Sequence, residues 1–499
     1  MMKYIIGLDI GTSNTKAIAL DLKGKVLSEH KVGYSIINPA PGYFEQDPER
    51  LFDATLTCIT QVVNVVNKRY ADALLLGISF SSAMHGLIVM DINGKALTNC
   101  IIWADTRSES FANSIKHTPI GHDIYRHTGT PIHPMSPLCK LGWMKAHMPS
   151  IFHSAAKYIS IKEYVFFKLF GRYIIDESIA SATGLLDIYV QNWYKPALEL
   201  AGISADQLSE VVPITYRISG INKFYASILQ ISPDTPFIIG GSDGCLANLG
   251  VNAIQTGDTA LTIGTSGAIR VMANKPKTDE KERTFSYILT ESMYVLGGAV
   301  NNGGVVLRWF KDQLMQLDKR LSEEKQYDGI IDLAASVPAG AAGLIFLPYL
   351  LGERAPHWNA DAKGLFFGLQ MHHNRAHFAR ALIEGILFGL YSVAKALEET
   401  TGPINVIYAN GGFAQSPFWV QTLADVFNKK VHVCGNIQSS ATGAVIVALK
   451  ALGIIHRLEE ASYFTPIQTS YNPQEELHPV YMKNFQVFER LYDKVKDEF

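Results

Sequence analysis

Apolar and polar positions alternate along this chain in short strand-like runs separated by longer helical stretches. Tyr4–Asp9, Lys16–Leu20 and Val26–His30 read as a meander, with Lys23-Gly24 in one turn. Pro48 then opens a helix whose Leu51, Thr55, Cys58, Ile59, Val62 and Val66 share one face. Leu74–Phe80 is a run fit for a buried strand, and Ile88–Asp91 with Ala96–Trp103 flank an Asn93-Gly94 turn as a hairpin would. Phe237–Gly241 is another strand, and Asn374 caps a helix carrying Phe378, Leu382, Ile386, Leu390 and Val393. Ile404–Ala409 predicts a strand, Thr442–Leu452 a small-residue helix suited to close packing, and Pro473–Phe499 an amphipathic helical tail. The pattern is α/β.

One tetrapeptide is repeated within it. Ile-Gly-Thr-Ser stands at residues 10–13 and again at 263–266, each time after an apolar run (Tyr4–Asp9, Thr259–Thr262) and before another (Ala17–Leu20, Ile269–Met272). Strand, glycine turn and returning strand let backbone N–H groups and hydroxyls approach phosphate oxygens. A polar hairpin turn would look the same in one copy; two copies favour the phosphate reading and suggest two related domains. With 499 residues the chain is too long for one core. The second domain is placed to begin near Val251, giving 1–250 and 251–499.

Composition narrows the partners. A net charge of −2 leaves no basic excess to neutralise a nucleic-acid backbone. The five cysteines are scattered and form no CxxC pair, which fits reduced thiols rather than a zinc ribbon or disulfide framework. The apolar stretch in Met1–Gly11 is too short for a signal segment and no run of eighteen apolar residues occurs, so the expectation is a cytoplasmic protein with no membrane partner.

Four constellations carry candidate chemistry. Asp9 ends a strand beside Gly11-Thr12-Ser13-Asn14, with Lys16 following. An acid there can hold Mg²⁺ through water while the turn holds phosphate. Asn410-Gly411-Gly412-Phe413-Ala414-Gln415-Ser416 follows a strand, and paired glycines let backbone lie against a flat adenine or ribose, or simply turn the chain. Gly241-Ser242-Asp243-Gly244 exposes a carboxylate at a strand end, where a general base for an alcohol would stand, or a turn aspartate bonding its own backbone. Met84-His85-Gly86 and Trp103-Ala104-Asp105-Thr106-Arg107 supply an indole, a carboxylate and a cation. Spacing by two puts alternate side chains on one side of an extended segment, as a polyol site or a surface ion pair would need.

Taken together these residues resemble the FGGY family of carbohydrate kinases over nearly the whole chain. One signature resembles 135–144 (MSPLCKLGWM); the other resembles 364–369 (GLFFGL), then His377-Phe378 and 381–384 (ALIE). The resemblance implies two ribonuclease-H-like domains of the actin and hexokinase type, flanking a deep cleft for ATP and sugar. It implies Asp243 as the base, and Mg²⁺ organised by Asp9 through water together with Asp243. Thr12, Ser13, Asn14 and Lys16 would meet the phosphates. Gly264, Thr265, Gly303, Gly411, Gly412 and Ser416 would meet the nucleotide. Met84, His85, Trp103 and Asp105 would line the sugar site. Residues 103–107, 263–270 and 351–364 look most like the gluconate-phosphorylating members; pentulose-phosphorylating members come next. A substrate carboxylate would need a cation, and Arg107, Arg270, Arg354, His85 and His357 are the candidates. A homodimer is the assembly common in the family. An actin- or Hsp70-like nucleotide switch would share both hairpins but would need neither Asp243 nor a polyol site.

Overall fold

In a computed structural model, which describes residues 1–315, 320, 322–435 and 438–499, the chain divides into two compact units. The first comprises Met1–Ile254, Ala273–Val295 and Gln438–Pro466; the second comprises Gln255–Met272, Leu296–Ile437 and Ile467–Phe499.

The first unit is built on strands β1 (Lys3–Ile10), β2 (Asn14–Asp21), β3 (Val26–Gly33), β4 (Leu74–Ser82), β5 (Arg217–Ile218) and β6 (Phe237–Ser242), which lie in the order β5-β6-β4-β1-β2-β3. β1 runs antiparallel to β2 and parallel to β4, and β6 runs parallel to β4. The carboxyl ends of three parallel strands, carrying Asp9, Ser81 and Ser242, therefore emerge on one edge, where an open α/β sheet offers its crevice. Helix α1 (Pro48–Arg69) begins as predicted. Pro48 sits in its first turn, Asp47 accepts from Glu49 N as the cap, and Lys68 and Arg69 close the last turn against the helix dipole. Its buried face, with Leu51, Ile59, Val62 and Val66, packs into the same apolar cluster as Ile6, Leu8, Ile78 and Phe80.

Further along lie α2 (Pro137–His147), α3 (Ile161–Phe170), the short α4 (Glu177–Ser181) and α5 (Asp243–Gly250). β7 (Asp258–Ile263), β8 (Gly267–Ala273), β9 (Met293–Val300), β10 (Val406–Asn410), β11 (Val431–Cys434) and β12 (Ile467–Tyr471), most of whose residues belong to the second unit, lie in the order β9-β8-β7-β10-β11-β12, with Phe285–Thr290 at the edge beside β9. α6 (Gly304–Gln313) follows β9, and the Asn374-capped helix is α7 (Arg375–Thr401). α8 (Pro417–Phe427) follows β10, and the small-residue helix, which belongs to the first unit, is α9 (Ser439–Ala451).

The compact units are not two contiguous halves. α9 packs on α5, β1 and β4 of the first unit, with Ala441, Ala444, Val445 and Ala448 buried, so a cut after residue 250 would strip an apolar cover from the first sheet. The expected hairpin around Asn93-Gly94 is present. The turn forms, with Gly94 N on Asp91 O at 3.1 Å and Asp91 Oδ1 accepting from Asn93 N and Lys95 N. Its arms pair with each other through antiparallel bridges, Met90 with Ala96 and Leu87 with Ile101, and each arm also takes a distant partner: Ile88–Met90 joins Lys157–Ile159, and Cys100–Ile101 joins Glu45–Gln46. The five cysteines are free thiols. Among the described residues no helix is long and apolar enough to cross a membrane.

Candidate active site

Both Ile-Gly-Thr-Ser copies form the predicted antiparallel hairpins. In the first, Ile10 pairs with Thr15, and Gly11 N closes the turn on Asn14 O at 3.0 Å. Side chains from elsewhere hold it. Gln46 Nε2 donates to Thr12 O at 2.6 Å, Trp103 Nε1 to Thr12 Oγ1 at 2.8 Å, and Tyr34 Oη to Gly11 O at 2.5 Å. Asp9, half-buried at the end of β1, receives the Ser81 hydroxyl on Oδ1 at 2.7 Å. Burial pushes its carboxyl above the usual carboxylate range, opposed by that hydroxyl and by Lys16. Among the described residues no cluster of three or more His, Cys, Asp or Glu could cage a metal. A single carboxylate beside a hydroxyl-rich turn instead fits Mg²⁺ that keeps most of its waters and travels with phosphates.

Thr12, Met84 and Trp103 line a small cavity together with Gln46, Ala83 and Cys100. The segment carrying Trp103 and Asp105 is a turn, with Asp105 N on Ile102 O at 3.1 Å, so the two side chains do not project to one side as an extended run would make them. Trp103 reaches back to the hairpin. Asp105 is buried and accepts from Phe44 N at 2.7 Å and from Arg107 through Nε at 2.8 Å and Nη2 at 2.8 Å. Arg107 also reaches Glu45 at 2.6 Å and lies 4.0 Å over the Tyr43 ring. The predicted sugar-site pair is thus a buried ion pair that fixes the loop behind Trp103, and Arg107 is already matched by two carboxylates.

His85 adopts φ 65°, a left-handed conformation that a non-glycine residue rarely keeps without a tertiary reason. Its Nδ1 lies 2.8 Å from Ala182 O, and the Tyr287 hydroxyl is 3.5 Å from Nε2. Its own carbonyl accepts from Lys140, which is fully buried and also donates to Ile101 O and Ile102 O at 3.1 and 2.9 Å. Desolvation pulls the Lys140 ammonium down to about 7. Lys140 ties the His85 and Trp103 loops together. Lys140 lies within residues 135–144, where a lone lysine in a run otherwise fit for burial is the signal for such a role.

Asp243 is the first residue of α5. Ser242 is the cap, accepting from Cys245 N at 3.3 Å, and Asp243 Oδ1 accepts from Gly244 N at 2.7 Å. The side chain is half-buried at a helix N-terminus.

In the second unit Ile263 pairs with Gly267, and Gly264 N closes a tighter turn on Ser266 O at 2.9 Å. Backbone holds this copy. Gly303 N and Val305 N donate to Thr265 O at 3.2 and 3.1 Å, and Gly304 N to Gly264 O at 2.7 Å. A Cβ on Gly303 would lie 2.6 Å from Ser266 backbone, so glycine is required there. Gly411, at φ 102°, likewise sits where a Cβ would meet Ile263 O at 2.4 Å. Gly412 opens a short 3₁₀ turn, and the Ser416 hydroxyl caps α8, accepting from Trp419 N at 3.3 Å. Arg270 lies half-buried on β8. Arg354 donates to Asn301 Oδ1 at 2.8 Å and Val300 O at 3.3 Å. His357 is stacked on Tyr492 at 3.5 Å, and burial pulls it down to about 4, so it is neutral at ordinary pH and a poor partner for a carboxylate.

Comparison with known proteins follows the same lines. Residues 4–250 match the N-terminal domain, and residues 259–452 the C-terminal domain, of the FGGY family of carbohydrate kinases. A gluconokinase of Bacillus licheniformis is 45% identical, across 100% of this chain and 97% of its own. Among solved structures, a gluconate kinase from Lactobacillus acidophilus superposes with a TM-score of 0.94 at 38% identity, covering 99% of this chain and 98% of that one. A ligand-bound xylulose kinase from Lactobacillus acidophilus matches with the same TM-score and identity, covering 99% of each chain.

Proposed function

The chain belongs to the FGGY family of carbohydrate kinases and is an enzyme, and from that premise we propose that it transfers the γ-phosphoryl group of ATP to the 6-hydroxyl of D-gluconate, giving 6-phosphogluconate and ADP. The observation that carries the substrate is the end-to-end similarity to a gluconokinase at 45% identity. Family membership sets aside the nucleotide-switch reading. The solved structures favour neither acid nor ketose, since both neighbours superpose equally well, so a pentulose is the second reading.

In the proposed chemistry Asp243 accepts the hydroxyl proton as the oxygen attacks the γ-phosphorus and ADP leaves. Thr12, Ser13, Asn14 and Lys16 bind phosphate oxygens through the first hairpin. Gly264, Thr265, Gly303, Gly411, Gly412 and Ser416 form the nucleotide-facing surface of the second unit. Asp9, through water, and Asp243 would hold Mg²⁺, which when bound neutralises phosphate charge. Met84, His85 and Trp103 contact the sugar, while Asp105 and Arg107 support the loop. With Arg107 matched and His357 neutral, Arg270 and Arg354 are the cations to test for the substrate carboxylate.

The test is ADP release with Mg·ATP against gluconate, xylulose, ribulose, glycerol and a no-sugar blank. Turnover confined to gluconate supports the proposal. Turnover with a ketose keeps the mechanism and discards the substrate. In Arg270→Ala or Arg354→Ala, a KM raised for gluconate but not for a neutral polyol marks the carboxylate partner; equal loss on both marks a nucleotide role.

A further inference from the structure

Asp243 is delivered by the last peptide of β6, and that strand is irregular: its pairing with β4 shifts register between Ile238 and Gly241. The peptide unit joining Gly241 to Ser242 is gripped at both ends by side chains from outside the sheet. Lys162 Nζ, on α3, donates to Gly241 O at 2.9 Å. Ser178 Oγ, on α4, accepts from Ser242 N at 3.1 Å and donates to Ser242 Oγ at 2.8 Å. The two grips are themselves joined. Lys162 pairs with Asp176 Oδ2 at 2.6 Å, and Asp176 caps α4 by accepting from Ile179 N on Oδ1 at 2.9 Å. Lys162, Asp176, Ser178 and Ser242 are all essentially inaccessible to solvent.

A buried ion pair is weak evidence for stability, because desolvating both charges costs about as much as their attraction returns. Its value here is geometric. One peptide plane, one residue before Asp243, has its carbonyl and its N–H fixed by a single cluster. We propose that Lys162, Asp176 and Ser178 are positioning residues for Asp243, orienting the plane from which its carboxylate projects. The inference rests on the reading of Asp243 as the base.

The experiment compares steady-state kinetics of the full-length enzyme with those of Ser178→Ala, the charge-neutral pair Lys162→Met with Asp176→Asn, and Asp243→Asn. Asparagine keeps the cap on α4. The neutral pair should lower kcat roughly 100-fold, the loss a displacement of about 1 Å can cause. Ser178→Ala should lower it about 5-fold, as one lost hydrogen bond would. KM for sugar and for Mg·ATP should stay within about 2-fold in both, since neither variant removes a group that touches them. A folded neutral pair with normal kcat overturns the proposal, and so does a fall in kcat matched by equal rises in both KM values. Should the neutral pair not fold, Ser178→Ala decides: normal kcat overturns the proposal, and the selective fall supports it. Near-normal turnover in Asp243→Asn would instead remove Asp243 as the base, an outcome separate from these.

Discussion

The two Ile-Gly-Thr-Ser hairpins share a sequence and a strand-turn-strand path, yet they are held in opposite ways. The first is four residues in the turn, and side chains brought from far along the chain grip it: Gln46, Trp103 and Tyr34. The second is three residues in the turn and rests on the backbone of Gly303, Gly304 and Val305. The residue before the shared tetrapeptide is Asp9 in one copy and Thr262 in the other. A duplicated motif therefore fixes a path for the chain but not its chemistry. The acid occurs once, and the copy without it is supported by protein backbone.

The sharpest way to break this comparison is to make the two copies alike. Asp9→Asn should cost about 10³-fold in kcat/KM for Mg·ATP, the scale of removing one electrostatic contact to a transferring phosphoryl group. Thr262→Val, at the equivalent place in the second copy, should change it by less than about 3-fold. Measuring both as a function of Mg²⁺ concentration separates the roles, because only the first should shift the cation dependence. Comparable losses in the two variants would erase the asymmetry.

A smaller effect should separate the supports. A Cβ at Gly303 meets Ser266 backbone at 2.6 Å, whereas one at Gly11 meets Asn14 O at 3.1 Å. Gly303→Ala should lower stability by roughly 2–3 kcal/mol, as overpacking against rigid backbone does, and should raise KM for ATP. Gly11→Ala should cost under about 1 kcal/mol, since the neighbour need give only slightly. Thermal melting of the two variants checks the order, and equal shifts would mean that the second hairpin is not backbone-supported in the way described.

Much of this was legible before the structure. Apolar runs placed the strands β1, β2, β4, β7 and β10, which are buried along most of their length, and apolar periodicity with strong caps placed α1 and α7: Asp47-Pro48 for α1 and Asn374 for α7. What resisted reading was non-local. The Asn93-Gly94 hairpin is correct, its arms bridged at Met90–Ala96 and Leu87–Ile101, but the further partners of those arms, Glu45–Gln46 and Lys157–Ile159, are ones no local pattern could reveal. The same holds for α9, whose small residues announce close packing but not that the surface they meet is over 180 residues earlier. At the site, residue types were legible and their commitments were not. Asp105 and Arg107 read as a sugar contact or an ion pair; the ion pair forms, and the Glu45 and Phe44 N that reinforce it lie too far along the chain for any local pattern to place. Lys162 carried no signal at all, since its partner peptide lies 79 residues away.

The last contrast between the hairpins is in how they should answer to pH. The two residues that lead into the backing segment of the second one, Asn301 and Asn302, are held by the buried Glu353: Asn301 N donates to it at 2.6 Å and Asn302 Nδ2 at 3.2 Å. Desolvation pushes that carboxyl up to about 7, against a reference of 4.5. The grips on the first hairpin come from an amide, an indole and a phenol, none of which titrates in that range. Between pH 4.5 and 7 the folded chain holds a proton on Glu353 that the unfolded chain has released. Its contribution to stability is therefore full below about 4.5 and is lost as pH rises through about 7. Melting temperatures measured from pH 5 to pH 7.5 should fall more steeply for the native chain than for Glu353→Gln, the difference being at most ~1.4 kcal/mol per pH unit for one proton. Parallel curves would mean that Glu353 is ionised throughout, and that the second hairpin's backing loop is as indifferent to pH as the first hairpin's grips.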